Sequence, residues 1–103
     1  MIMQRRVFQA KPGSSGDVVA RMKEFQPIFE RHGGPSARIY TDYFSGSTDR
    51  VVWEFDAENL GALENIFWAA SQNTGYLKAY EAWFTDLKPL IESATVELWN
   101  REE

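Results

Sequence analysis

The chain has 103 residues, a formal net charge of −4 and no cysteine, which predicts one domain over residues 1–103 and excludes disulfides and thiolate chemistry. It carries no basic run, so no nucleic-acid partner is expected, and no apolar run approaches the roughly 20 residues of a membrane span. The N-terminus has no basic segment followed by an apolar stretch, which predicts a cytoplasmic location.

The first third of the chain predicts a strand followed by a helix. Residues 2–10 read as a strand, which Pro12 and Gly13 end. Pro27 lies within the predicted helix, over residues 15–32, and predicts a kink or break near residues 23–26, because proline lacks the helical N–H. The helix itself is indicated by apolar residues at spacings of four, three and four, namely Val18, Met22, Phe25 and Phe29.

The middle of the chain predicts two strands joined by a hairpin loop. Residues 36–44 form the first strand, residues 45–49 the loop, and residues 49–56 the second strand. Clean alternation in the second strand predicts that three residues face the helices, namely Val51, Trp53 and Phe55.

The last third predicts a helical region in two pieces and a final strand. Asp56 is the expected N-cap of the second helix, whose apolar stripe is Leu60, Leu63, Phe67 and Ala70. Residues 73–75 interrupt that helix. A further helical piece over residues 76–88 ends before Pro89, and residues 91–100 form the last strand.

The element order β-α-β-β-α-β predicts an α+β, ferredoxin-like sandwich. Its four-stranded antiparallel sheet is expected to carry both helices on one face. The other face would then expose an apolar set, namely Phe8, Tyr40, Phe44, Val52 and Trp99. Such a patch predicts a homodimer formed through the open sheet face, and an aromatic content of 15% favours the same assembly.

Three short motifs resemble NIPSNAP-type members of the dimeric α/β-barrel superfamily. Such proteins often open with Glu-x-Arg-x-Tyr-x-x-Lys-Pro-Gly, matched here by Gln4, Arg6, Phe8 and residues 11–13. Their first helix often ends Pro-x-Phe-x-x-His-Gly, matched by Pro27, Phe29, His32 and Gly33, and the strand around residues 49–53 is also similar. The chain departs from the pattern at Gln4 and Phe8, and at residues 72–76, where the family has Asp-Pro-Glu-Trp. The resemblance implies a dimeric barrel whose bacterial members mostly lack an assigned activity.

Five residues are candidates for binding a small apolar or aromatic ligand, namely Arg6, His32, Trp53, Trp68 and Tyr80. An imidazole can serve as a base or a pocket donor, so His32 suits either role, but it also suits the end of a helix. Trp53, Trp68 and Tyr80, together with Trp83, could line an aromatic pocket between the sheet and the helices. Aromatic residues at helical spacing are, however, usually part of a core. Arg6, Arg38, Glu54 and Glu97 would either bind an anionic group or pair across neighbouring strands.

Two functional hypotheses follow from this set. The first is a dimeric domain that binds a small molecule or acts as an interaction module, without chemistry of its own. The alternative is a cofactor-independent monooxygenase or isomerase acting on an aromatic or polyketide-like compound, which rests on analogy with the superfamily. No catalytic residue is assigned, and neither a metal nor a cofactor is expected.

Overall fold

The computed structural model describes residues 1–102, and the fold is described for that range. Its strands are β1 (Ile2–Ala10), β2 (Arg38–Thr41), β3 (Arg50–Ala57) and β4 (Ile91–Asn100). Its helices are α1 (Ser15–Arg31), α2 (Leu60–Ser71) and α3 (Thr74–Leu87), and a single 3-10 turn over Lys88–Leu90 leads into β4. The protein therefore has the predicted α+β, ferredoxin-like fold. None of these described helices is both long and apolar enough to cross a membrane.

The four strands form one antiparallel sheet in the spatial order β2-β3-β1-β4. In the register of the two central strands, Phe8 lies opposite Val51 and Arg6 lies opposite Trp53. Residues directly opposite each other in an antiparallel pair share a face of the sheet. The even-numbered residues of β1 and the odd-numbered residues of β3 therefore form one face, on which the helices pack.

The core lies between this helix-side face and the helices, and seven of its fifteen buried residues are aromatic. Val51, Trp53 and Phe55 are all buried, as the alternation predicted. The ring of Phe25 on α1 lies at the centre, with its centroid 4.4 Å from Trp83 and 6.0 Å from Trp53. Offset and edge-to-face contacts of this kind add to the area that the rings bury.

Two residues predicted for the open face lie elsewhere. Phe8 is 6% exposed and belongs to the core, because its register with Val51 turns it toward the helices. Phe44 is 91% exposed in the loop after β2, since β2 ends at Thr41 rather than at residue 44. The carboxylate of Asp42 accepts a hydrogen bond from the backbone N–H of Arg50 at 2.9 Å. The loop therefore begins at Asp42, directly after β2.

The helix boundaries confirm some predictions and correct others. Helix α1 is continuous through Pro27, so the expected break does not occur. The N-cap of α2 is Asn59, whose side chain accepts from the N–H of Ala62 at 2.8 Å, and not Asp56, which lies in β3. The predicted interruption is the boundary between α2 and α3, where Asn73 caps the second helix.

The helices do not cover the edge strand β4. Val96 and Leu98 lie opposite Arg6 and Gln4 on the helix-side face, yet their side chains are 56% and 54% exposed. The space between α3 and β4 is consequently open to solvent, and this opening leads to the candidate site.

Candidate ligand pocket and the open sheet face

A pocket of about 160 Å³ lies between the helix-side face of the sheet and the helices. Helix α3 supplies much of its wall, because Tyr76, Tyr80, Trp83, Phe84 and Leu87 recur at helical spacings and project from one side. The rings of Tyr80 and Phe84 are stacked within 8° of parallel, with centroids 6.1 Å apart. The remaining lining residues are Arg6, Phe8, Met22, Phe25, Phe29, Trp53, Phe67, Ile91 and Ala94.

The two tryptophans of the pocket are held in fixed orientations by their indole N–H groups. Trp53 Nε1 donates to the side-chain oxygen of Gln26 at 3.2 Å, and Trp83 Nε1 donates to the carbonyl of Arg21 at 2.6 Å. A buried indole N–H generally needs such a partner. Because both donors are already satisfied within the protein, these rings offer a ligand apolar surface rather than hydrogen bonds.

Arg6 is the one charged residue of the pocket lining. Within residues 1–102 its guanidinium forms no ion pair and no side-chain hydrogen bond. Burial raises the pKa of Tyr76, another lining residue, and the positive charge of Arg6 acts in the opposite direction. The Tyr76 hydroxyl is therefore a neutral phenol at neutral pH. The pocket as a whole combines aromatic walls with one positive charge.

The structure brings together three of the five candidate residues and separates the other two. Arg6, Trp53 and Tyr80 line the pocket, whereas His32 and Trp68 do not. His32 lies at the C-terminus of α1, with its Nδ1 2.8 Å from the carbonyl oxygen of Ile28, in the position that suits a helix end. Trp68 is 68% exposed on the outer side of α2.

Besides Trp83, ten lining residues were not predicted for the pocket. Seven lie on helices, namely Met22, Phe25, Phe29, Phe67, Tyr76, Phe84 and Leu87, and three lie on strands, namely Phe8, Ile91 and Ala94. The helical ones recur at helical spacings, and those on α1 and α2 belong to stripes that the periodicity had identified. Periodicity shows that a side chain turns toward the sheet, but a filled core and an open pocket produce the same pattern. The spacing alone therefore contained no signal that distinguishes the two.

The opposite face of the sheet carries a connected set of ion pairs, here called the open-face network. Glu54, which is buried, accepts from Arg5 Nε at 2.9 Å and from Arg38 Nε at 3.1 Å. Arg38 also forms a bidentate pair with Asp56, at 3.0 and 3.1 Å. Arg5 and Arg101 extend the network to Glu97 and Asp56 at 3.9 and 4.0 Å, respectively.

The open-face network answers the question that the sequence left open for four charged residues. Arg38, Glu54 and Glu97 pair across neighbouring strands, and Arg6 does not belong to the network because it lies on the other face. The Arg38 guanidinium lowers the pKa of Asp56, and the same hydrogen bonds raise the pKa of Arg38. Across residues 1–102 no group of three histidine, aspartate or glutamate side chains is arranged to hold a metal ion.

No protein-family model and no curated protein matches the chain, but solved structures share its fold. A NIPSNAP family protein of unknown function from Agrobacterium tumefaciens aligns with a TM-score of 0.76 and 16% identity, covering 95% of this chain and 85% of that one. An uncharacterized NIPSNAP domain protein from Burkholderia xenovorans aligns with a TM-score of 0.77 and 13% identity, covering 99% and 95%.

An antibiotic biosynthesis monooxygenase-like protein from Bordetella bronchiseptica also shares the fold, with a TM-score of 0.72, 16% identity, and coverage of 99% of this chain and 97% of that one. Identities this low show the fold alone. For the fold, they confirm the resemblance that the motifs indicated, because NIPSNAP-type structures share the ferredoxin-like fold of this chain.

Proposed function

We propose that this protein is a homodimeric domain that binds a small aromatic molecule in the pocket between its sheet and its helices. The observation that carries the proposal is the pocket itself, about 160 Å³ of space among aromatic rings. Tightly packed interiors contain few voids larger than a water molecule. A dry cavity of about 150 Å³ takes up benzene in another protein. A single aromatic ring therefore matches the size and the walls of this pocket.

The comparison with known folds favours the uncharacterised NIPSNAP-like proteins over the monooxygenase-like ones as models for this chain. The NIPSNAP structures from Burkholderia xenovorans and Agrobacterium tumefaciens superpose with somewhat higher TM-scores than the monooxygenase-like structure. The first is described as uncharacterized and the second as of unknown function. A cofactor-independent monooxygenase or isomerase would use the same pocket, with Arg6 facing the substrate. Turnover of an aromatic compound, rather than its binding alone, would distinguish this alternative.

Ligand binding can be tested with benzamide, a neutral one-ring probe, followed through the four indole N–H signals in ¹H–¹⁵N NMR spectra. Trp53 and Trp83 line the pocket, whereas Trp68 and Trp99 lie outside it. Benzamide is expected to shift the first pair of signals saturably and to leave the second pair in place. Uniform shifts of all four signals would contradict the proposal.

A pocket-filling variant provides the matched control for that titration. Ala94 is exposed at the pocket opening, so Ala94→Phe is expected to occupy the space without disturbing the core. It should weaken benzamide binding at least about tenfold. Ala69→Phe makes the same change on the exposed side of α2 and should leave binding unchanged.

The homodimer is supported by the composition of the open sheet face. Helices cover one face of the sheet, and the other carries Met3, Val7, Val52, Tyr40 and Trp99 beside the open-face network. That network contains three arginines and three carboxylates, so its formal charge is zero. Two such faces do not repel each other, and a second copy would bury their apolar side chains.

Sedimentation equilibrium is the test of the dimer. The wild-type protein is expected to have twice the mass of one chain. Val52→Lys, at the centre of the open face, should give monomers because it buries an unpaired charge in the interface. Leu77→Lys, on the exposed side of α3, is the control and should remain dimeric. A monomeric wild-type protein at high concentration would overturn this assembly.

The cytoplasmic location and the single domain over residues 1–103 stay predictions from the sequence.

A further inference from the structure

The polar groups around the pocket are unbalanced, because they include donors without acceptors. Arg6 has no acceptor within residues 1–102, and the pocket lining contains no carboxylate that would neutralise its charge. A partly buried cation in apolar surroundings is costly unless it is paired. The described chain therefore leaves the Arg6 guanidinium free to pair with an anion that enters the pocket.

The neighbouring polar residue on the same face of β1 has the same deficiency. Gln4 lies two residues before Arg6, is 5% exposed, and its side-chain N–H₂ group has no hydrogen-bond partner. It does not belong to the pocket lining, so the anion is assigned to Arg6 alone. Gln4 nevertheless shows that this stretch of β1 holds donors in excess of acceptors.

We infer that the pocket binds an aromatic acid, with the ring among the aromatic side chains and the carboxylate paired with Arg6. This inference rests on the proposed ligand-binding function and names the chemical class of the ligand. A planar guanidinium matches the two oxygens of a carboxylate and forms two parallel hydrogen bonds with it. The volume of about 160 Å³ admits one ring, and the exposed strand β4 leaves room for substituents toward solvent.

The charge preference can be measured with benzoate and benzamide, which have the same size and shape but differ in charge at pH 7. Both are titrated into the wild-type protein at one ionic strength, with the indole signals of Trp53 and Trp83 as the readout. Benzoate is expected to bind at least about tenfold more tightly, since a charge-assisted pair in a partly dry site is stronger than a neutral contact.

Substitution of Arg6 shows whether this side chain carries the preference. Arg6→Gln should bring the two dissociation constants within about twofold of each other, mainly by weakening benzoate. Arg6→Lys keeps the charge but not the planar fork, so it should retain part of the preference. Arg5→Gln, on the opposite face, is the control and should leave the preference unchanged. Dispersed amide spectra verify that each variant is folded.

The possible outcomes separate the inference from the function on which it depends. Equal binding of the two probes by the wild-type protein would overturn the aromatic-acid assignment and leave the binding function standing. A preference for benzoate that survives in Arg6→Gln would also overturn it, because another group would then bind the anion. If neither probe binds, both the aromatic-acid assignment and the binding function are overturned.

Discussion

Arg5 and Arg6 are adjacent on β1 but lie on opposite faces of the sheet. Their surroundings differ in polarity and in the number of ion-pair partners. Arg5 forms ion pairs with Glu54 and Glu97 in a network of balanced charge. Arg6 lies in an aromatic pocket without any partner in the described part of the chain. A satisfied network needs nothing further to remain folded, whereas an unpaired cation in a pocket is suited to a ligand.

The two faces also gain stability in different ways. The helix-side face is held by the packing of large rings, where the free energy is large and depends on shape. Within a single subunit, the open face is held by ion pairs whose arginines are 36% and 43% exposed, so that solvent screens each pair until a second copy covers them. Substitutions on the helix-side face should therefore cost more than substitutions on the open face.

The largest effect is expected from Phe25→Ala, which removes the central ring of the core. Phe25 contacts five other aromatic rings, so the substitution should lower the free energy of unfolding by about 3–5 kcal/mol. Urea denaturation at one protein concentration measures the change. Phe44→Ala, in the exposed loop, is the matched control and should stay within about 0.5 kcal/mol. Similar losses in both variants would contradict the assignment of the core.

An intermediate effect is expected from the adjacent arginines, measured without ligand. Arg5→Gln removes a charge-assisted hydrogen bond to buried Glu54 and should cost about 1 kcal/mol after allowance for solvent screening. Arg6→Gln removes no partner and relieves an unpaired charge, so it should leave the free energy of unfolding unchanged or slightly higher. The same urea titrations compare them, and a costly Arg6→Gln would mean that Arg6 is structural.

The smallest effect concerns pH. The Arg38 guanidinium lowers the pKa of Asp56 in the folded protein, whereas an unfolded aspartate titrates near pH 4. The unfolded chain thus binds the proton first, so the pair stabilises the fold above about pH 4 and loses this contribution as pH falls through the lower, folded value.

Asp56→Asn should consequently lose less stability than the wild-type protein between pH 5 and acid pH, by about 0.5 kcal/mol for a partly exposed pair. Thermal melts across that range provide the measurement. Asp86→Asn alters an exposed aspartate without an ion pair in the described range. An identical pH profile in the Asp56 and Asp86 variants would show that the pair with Arg38 contributes nothing.

Much of this comparison was predictable from residue patterns. The stripe through Val18, Met22, Phe25 and Phe29 predicted the buried side of α1, and the alternation of Val51, Trp53 and Phe55 predicted the buried side of β3. Arg6, Trp53 and Tyr80 were candidates before the pocket was known. His32 was also a candidate, but it lies outside the pocket and its contact with Ile28 is that of a helix end. Short-range periodicity captures such features because it depends on neighbours along the chain.

The sequence by itself determined the order of the elements, their approximate bounds, and which residues of each strand share a face. Only the tertiary structure decided which face of β1 meets the helices, and with it that Phe8 is buried, that Arg5 is paired and that Arg6 is not. The physical reason is that a strand alternates with a period of two residues whichever side is covered. The choice of side depends on the register with β3 and on helices that are distant along the chain.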